Sequence, residues 1–444
     1  MPARLPCIAA LAVLGACQDN PALASPAVSM AVAAPLRPAA CLEVPAGQDV
    51  QRAIDEAGDG AVCLGPGLHA GPIVLTRGVT VWGSSAAILR AARPGTVIEI
   101  RGAGARVLGL TIDGRGGRFY STDAAILAAS SRDVRIEGVT VVGAVFGFVV
   151  EQCARVEILH NPIRGSQDPA MGLRGDTLRI WETRDARVEG NDLEDGRDFL
   201  IWYSRKSAIV GNRIRGGRYG LHFMDSHDSK VLGNQILDPI VGVFAMYSRG
   251  LEIRDNVIAG ALGAAGMGVG AKESGNLEIV GNHLIRDASG IYLDTSPMQP
   301  LDKVRIERNQ LRLDDRAIVF HASGHRVSII DNDFADNQIQ VAVDGGGDAM
   351  DVTWRGNYFD DYAGYDLDGD GIGDVAYEEH ALSNELTSSH PELALFRGTP
   401  ALALVDAAAH LDPMYVRKPL LSDPAPRMLA AQDLSSSGSR EWGP

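Results

Sequence analysis

The stretch Val188-Glu189-Gly190-Asn191 returns as Ile209-Val210-Gly211-Asn212 and again as Val231-Leu232-Gly233-Asn234. It continues as Ile253-Arg254-Asp255-Asn256, Ile279-Val280-Gly281-Asn282, Ile306-Glu307-Arg308-Asn309 and Ile329-Ile330-Asp331-Asn332. Two residues after each asparagine stands an apolar residue: Leu193, Ile214, Ile236, Ile258, Leu284, Leu311 and Phe334. Successive asparagines lie from 21 residues apart (Asn191 to Asn212) to 27 (Asn282 to Asn309), the period of a solenoid. Asparagine and glycine tolerate a left-handed corner. Asparagine at the same corner of every coil also builds a stacked amide ladder. Alternation on either side of the corner marks short strands with one face inward. A helical period fails because Gly and Asn interrupt every window. Leucine-rich repeats fail because Val, Ile and Phe dominate the fixed offsets. The reading is an all-β chain, one single-stranded parallel β-helix.

His160-Asn161 opens the asparagine series and Gly356-Asn357 closes it, while Gly109-Leu110 and Gly138-Val139 keep the frame before it. The repeats are expected over 78–360. Residues 41–77 read as an N-terminal cap, with an amphipathic helix over Gln48–Ala57 covering the first coil, because an open solenoid end exposes strand edges. An acidic loop is expected over 361–379, a short helical C-terminal segment over 380–423 (Ala381–Leu386, Pro391–Phe396, Ala401–Leu411), and a disordered tail over 424–444. The 51 glycines and 6% aromatic residues suit stacked tight turns, and one repeat core can absorb all 444 residues. A formal charge of −15 argues against nucleic acid, which needs a basic footprint.

Arg4 and the apolar run Ile8–Ala16 read as an export signal over 1–16, too short to span a bilayer. Leu14-Gly15-Ala16-Cys17 resembles a lipobox that would lipidate Cys17; ordinary cleavage near Ala22–Ser25 is the alternative. An Ala/Pro-rich linker over 17–40 follows. In an oxidising compartment Cys41 and Cys63 are expected to form a disulfide. Cys153 reads as a buried or turn cysteine.

Aligning the coils separates the faces of the strand before each turn. Leu178 and Ile180, Phe199 and Ile201, Leu221 and Phe223 point inward, so the residues between them point outward. One outward column reads Trp181, Trp202, Met224, Met246, Lys272, Asp294, His321; the other reads Arg179, Leu200, His222, Phe244, Gly270, Tyr292, Val319. Strand neighbours stack at ~4.8 Å and alternate residues lie ~6.7 Å apart. His222, Met224 and Met246 therefore fall within reach of one another, with His227 just past the turn, and thioether plus imidazole suits Cu(I). Trp181, Trp202 and Phe244 support another reading, an exposed stripe for a protein partner or for cover by the C-terminal helices.

Asp366-Leu367-Asp368-Gly369-Asp370-Gly371-Ile372-Gly373-Asp374 places carboxylates at loop positions 1, 3, 5 and 9 and glycine at 6. With the carbonyl of Ile372 at position 7, these are the hard oxygen ligands of a calcium loop, expected to be structural. Position 12 is Tyr377. A solvated acidic turn is the alternative.

Gly196-Arg197-Asp198-Phe199-Leu200-Ile201-Trp202-Tyr203-Ser204 and Gly216-Gly217-Arg218-Tyr219-Gly220-Leu221-His222-Phe223-Met224 resemble the NosD family. So do Gly356-Asn357-Tyr358, Asp361-Tyr362-Ala363-Gly364-Tyr365-Asp366 and His390-Pro391-Glu392-Leu393-Ala394-Leu395-Phe396. The resemblance spans roughly residues 41–427. It implies a right-handed, pectin-lyase-like β-helix. It implies a periplasmic maturation protein of nitrous oxide reductase, acting with the membrane subunit of an ABC transporter, a copper chaperone and the reductase. No enzymatic activity is implied. His222 and Met224 match family positions, whereas Asp225 stands where a bulkier aromatic residue is expected. The rival is a polysaccharide-active enzyme, since Asp225-Ser226-His227-Asp228 distantly resembles a stretch of alginate epimerases in which His removes a proton.

Overall fold

The computed structural model describes residues 34–379, 386–387, 390–396, 399–411 and 419–431. The export signal, Cys17, most of the linker, part of the C-terminal helical segment and residues 432–444 lie outside them. The chain winds into a parallel β-solenoid of three long sheets, of 14, 13 and 12 strands. Sheet A runs from Leu42–Val44 to Thr353–Arg355, sheet B from Gly67–Gly71 to Tyr358–Phe359, and sheet C from Ile73–Leu75 to Val341–Asp344. Each complete coil gives one strand to each sheet, and every strand between the sheet ends pairs in parallel with the coils before and after it.

The core is a set of apolar columns. Val188, Ile209, Val231, Ile253, Ile279, Ile306 and Ile329 stack in register inside sheet A, all fully buried. Leu193 to Phe334 do the same in sheet B. Each column buries one β-branched or large apolar side chain per coil, about 1.5–3 kcal/mol of transfer free energy apiece.

The corner between sheets A and B holds the expected amide ladder. From Asn161 to Asn332 each asparagine donates its backbone N–H and its Nδ2 to Oδ1 of the asparagine one coil on, at 2.8–3.0 Å. Each Nδ2 also reaches a carbonyl of the coil before, as Asn234 Nδ2 to Ile209 O at 2.9 Å. The left-handed residue is the one before the asparagine, Gly233 in one coil and Arg308 or His160 in others. The amide ladder makes that conformation affordable for a residue with a Cβ.

The solenoid starts earlier than the cap boundary implied, since Leu42–Val44 already pairs with Ala61–Leu64. The helix Val50–Ala57 is inserted in this first coil. Asp49 caps it by accepting from Arg52 N, and it buries Val50, Ala53 and Ile54. Gln51 accepts from Val74 N and donates to Val74 O, closing the open edge of sheet C. Cys41 and Cys63 form a disulfide, Cα atoms 5.7 Å apart, stapling the entry to the second strand of sheet A.

At the other end, Tyr377–Glu379 pairs antiparallel with Leu421–Asp423. Asp423 Oδ2 accepts the backbone N–H and Nδ2 of Asn357, so a carboxylate terminates the amide ladder. The expected disorder from 424 is corrected here: Arg427 reaches back to Gly356 O, Asn332 O and Asp333, and Met428 N donates to Gly371 O. One buried ion pair and main-chain bonds to the last coil order residues 424–431. Of the expected helices, Pro400–Leu411 is α-helical and Pro391–Phe396 is a 3₁₀ helix.

Candidate functional site

The outer face of sheet C follows the predicted columns. Trp181, Trp202, Met224, Met246, Lys272, Asp294 and His321 are successive register partners. Arg179, Leu200, His222, Phe244, Gly270, Tyr292 and Val319 form the column beside it. His222 and Met224 share one strand, opposite Phe244 and Met246 on the next. Both methionines and both tryptophans are half-buried, whereas His222 is only 9% exposed.

His222 is held as an aromatic slab. Its ring stacks on Tyr219 at 4.4 Å and lies 5.8 Å from Phe244. Its Nε2 is buried with no hydrogen-bond partner among the described residues. Burial pushes the imidazole down to about 4, with Asp198 opposing the fall and Arg218 adding to it. The ring is therefore neutral at physiological pH, the form that binds a metal. Tyr219 is itself fixed by an ionic layer. Arg218 lies over its ring at 4.8 Å and grips Asp198, which also accepts from Tyr219 N. Arg197 joins Asp198 to the fully buried Asp176, which Arg179 holds from the other side.

Sequence reasoning missed Met267. A Cβ at Gly270 would stand 2.5 Å from Phe244 Cδ2 and 3.0 Å from Met267 Sδ. Gly270 thus leaves room for Phe244 to lie flat and for a third thioether to join the patch. The signal was the one glycine in a column of large residues. His227 is not brought to this face. It sits in the turn beyond, on a bridge column between Arg205 and Arg249. Its Nδ1 accepts from Arg249 N at 3.2 Å, and its Nε2 lies 3.4 Å from Asp225 Oδ1. The same engagement weakens an epimerase reading, in which His227 must be a free base. Ser226 beside it is structural: its Oγ accepts Ser204 N and donates to main-chain carbonyls.

Ser226 belongs to a second ladder, of hydroxyls, at the end of each sheet C strand. Thr183, Ser204, Ser226, Ser248, Ser274 and Ser296 each donate N–H to the hydroxyl one coil on. Cys153 takes a rung of it: Ser131 N donates to Cys153 Sγ, and Cys153 N to Thr183 Oγ1.

In the acidic loop one carboxylate oxygen each of Asp366, Asp368 and Asp370 converge within 4.8 Å of one another. Asp366 accepts from Gly369 N and Gly371 N, and Asp370 from Ile372 N. Asp374 turns onto Leu367 N at 2.6 Å. Tyr377 is buried, its ring 3.8 Å from that of Phe359, so the twelfth position serves packing.

The family model described as periplasmic copper-binding protein (NosD) matches residues 159–364. Among curated proteins, the chain is 29% identical over 409 residues to "Probable ABC transporter binding protein NosD" of Pseudomonas aeruginosa, covering 84% of this chain and 90% of that protein. It is 27% identical to the protein of that name from Stutzerimonas stutzeri, covering 76% and 81%. Among solved structures it resembles the Azotobacter vinelandii mannuronan C-5 epimerase AlgE6 A-module, with TM-score 0.56, 16% identity, and coverage of 68% of this chain and 93% of that one. It also resembles the Streptococcus pneumoniae surface protein and adhesin PfbA, with TM-score 0.52, 13% identity, and coverage of 68% and 100%. At these identities the structural likenesses show the fold alone.

Proposed function

From a chain that belongs to the NosD family, we infer a periplasmic, non-enzymatic accessory protein in the maturation of nitrous oxide reductase. It works with an ABC transporter and a copper chaperone in assembling the reductase's copper centre, and it holds Cu(I) on the outer face of sheet C. The observation that carries the copper reading is the buried, unpartnered Nε2 of the neutral His222 beside the register pair Met224 and Met246. An orphaned buried nitrogen costs about 1–3 kcal/mol, which a soft metal ligated by imidazole and thioethers would offset. Copper here is cargo, so the site needs retention and release rather than redox chemistry. Trp181, Trp202 and Phe244 flank it as the face for the protein that gives or takes the ion. The acidic loop, on Asp366, Asp368 and Asp370, is proposed to take calcium as a structural clasp at the end of the solenoid.

The test is an anaerobic Cu(I) titration of the full chain against a chromogenic chelator. Met224→Leu with Met246→Leu should weaken retention by at least about a hundredfold, since each lost ligand removes more than about 1.4 kcal/mol. Unchanged stoichiometry and affinity reject the site. In a denitrifying host lacking its own family member, the chain should restore copper-loaded reductase; failure to do so while the chain is exported rejects the maturation role.

A further inference from the structure

A second feature lies on the turn between sheets C and A, one strand-end away from the copper face. Arg132, Ala154, Arg184, Arg205, His227 and Arg249 occupy one column, each bridged to the next coil. At ~4.8 Å per coil the column runs about 24 Å. Its first four members form one side of a groove of about 650 Å³, whose lining includes Arg101, Arg132, Arg184, Arg205, Tyr203 and Glu182.

The charges in this groove do not cancel. Arg101 is paired with Glu99, and Arg132 stands 3.9 Å from Asp133. Asp133 is already gripped by Arg155 through both oxygens. Arg184 and Arg205 are exposed and have no side-chain partner among the described residues, although most arginines of the outer faces are paired in ladders with Glu or Asp. Glu182 is the one carboxylate in the lining and is engaged by Gln152 Nε2. In a chain of charge −15 this edge is a concentrated positive site. An acidic partner is repelled by the bulk of the surface and is steered here.

We propose that this groove binds an acidic peptide segment of a protein partner, its carboxylates paired with Arg184 and Arg205. The proposal is independent of the copper site. A peptide is favoured over a small anion by the groove's length and by its aromatic rim. Tyr203 is 49% exposed and stacks on Trp202 at 5.3 Å, so the groove runs into the aromatic stripe of sheet C. Arginine beside exposed tyrosine is the composition of an interface centre. Guanidinium groups one coil apart offer planar forks to carboxylates on an extended chain.

The experiment uses the full chain and a fluorescent ten-residue peptide of alternating Glu and Gly, with its Gln counterpart as control. The Glu peptide is expected to bind, and to weaken as salt rises. Arg184→Glu with Arg205→Glu should weaken it by at least about tenfold. Arg213→Glu, at an exposed arginine on sheet B with no ion pair among the described residues, should change it less than about twofold. Unchanged thermal midpoints show that the variants fold. Equal binding of the Gln peptide, or an unaffected double variant, overturns the proposal. So does displacement of the peptide by a uronate oligosaccharide at lower concentration, which would make the groove a sugar site.

Discussion

Two of the solenoid's internal ladders do the same main-chain job with different chemistry. At one corner nine asparagines, Asn161 to Asn357, accept the N–H of the coil before. At another, Asp287 Oδ1 accepts Ala261 N, Asp314 Oδ1 accepts Asp287 N, and Asn337 Oδ1 accepts Asp314 N. An amide brings a donor with its acceptor, so every asparagine rung is satisfied on both sides. A carboxylate brings a second acceptor. Oδ2 of Asp287 and of Asp314 is buried with no partner among the described residues. Burial pushes both carboxyls well above the usual range, and the negative charge of Asp287 raises Asp314 further. Burial thus favours the neutral acid over the carboxylate at both positions. The lesson is that one geometry, filled by two side chains of equal size, gives one edge indifferent to pH and one edge that titrates.

The largest effect should come from breaking the amide ladder at its middle. Asn234→Ala strips Oδ1 from Asn212 N and Asn212 Nδ2, and Nδ2 from Ile209 O. At about 1–3 kcal/mol for each stranded buried group, a loss of about 3–5 kcal/mol is expected in urea unfolding. Asn234→Asp should cost less at pH 5 than at pH 8, because it turns an amide rung into an acid rung. Equal losses at both pH values would show that an acid rung does not differ from an amide rung in its response to pH.

The converse change should stabilise. Asp287→Asn with Asp314→Asn makes the acid ladder like its neighbour and is expected to add about 1–3 kcal/mol at neutral pH. The sign follows from linkage. The folded acids bind protons more tightly than the unfolded ones, so their contribution to stability is greatest at low pH. It falls as pH rises from the ordinary Asp range through the raised folded values. The double variant should flatten that decline, read as the thermal midpoint between pH 4 and about 8. A variant whose midpoint still follows the wild-type curve would show that the two carboxyls are not the titrating groups.

The two ladders were unequally legible in the sequence. The asparagine rungs sit in a repeated frame with a β-branched residue three before and an apolar one two after, so register can be counted. Trp202, Met224 and Met246 were legible for the same reason, since alternation fixes a face once a column is aligned. Asp287 lies in Arg-Asp-Ala-Ser-Gly and Asp314 in Asp-Asp-Arg-Ala, where acid and glycine read as solvated turns. Their burial follows from the neighbouring coil, which local sequence does not describe. Met267 was missed because it reaches the patch only through the space over Gly270. The order of 424–431 rests on long-range bonds from Arg427 to Asn332 and Asp333, about a hundred residues away in sequence.

A smaller effect tests how the ladder ends. Asp423 accepts both donors of Asn357 with one oxygen, while its other oxygen accepts Ala425 N. A carboxylate suits this place because only donors face it. Asp423→Ala should cost about 1–3 kcal/mol and fray the last coil, seen as faster hydrogen exchange at Asn357 than at Asn234. Asp423→Asn should lose less, since Oδ1 keeps the acceptor.

The smallest effect is expected in the hydroxyl ladder, at Cys153. Its sulfur accepts Ser131 N at 3.4 Å and lies 3.5 Å from Ala128 O and 3.2 Å from Glu151 O. Burial pushes the thiol up, so it is neutral and unreactive across the physiological range. A serine hydroxyl makes the same bonds in the coils that follow, as Ser204 and Ser226 do. Cys153→Ser exchanges a weak acceptor for a stronger one and loses some apolar burial, so the two contributions oppose. The expected change is below about 1 kcal/mol, with no pH dependence. Alkylation of the native protein should wait on unfolding. Labelling faster than unfolding, or a cost above about 2 kcal/mol, would mean that Cys153 is not simply a rung, and that the ladder tolerates sulfur for a reason other than equivalence to a hydroxyl.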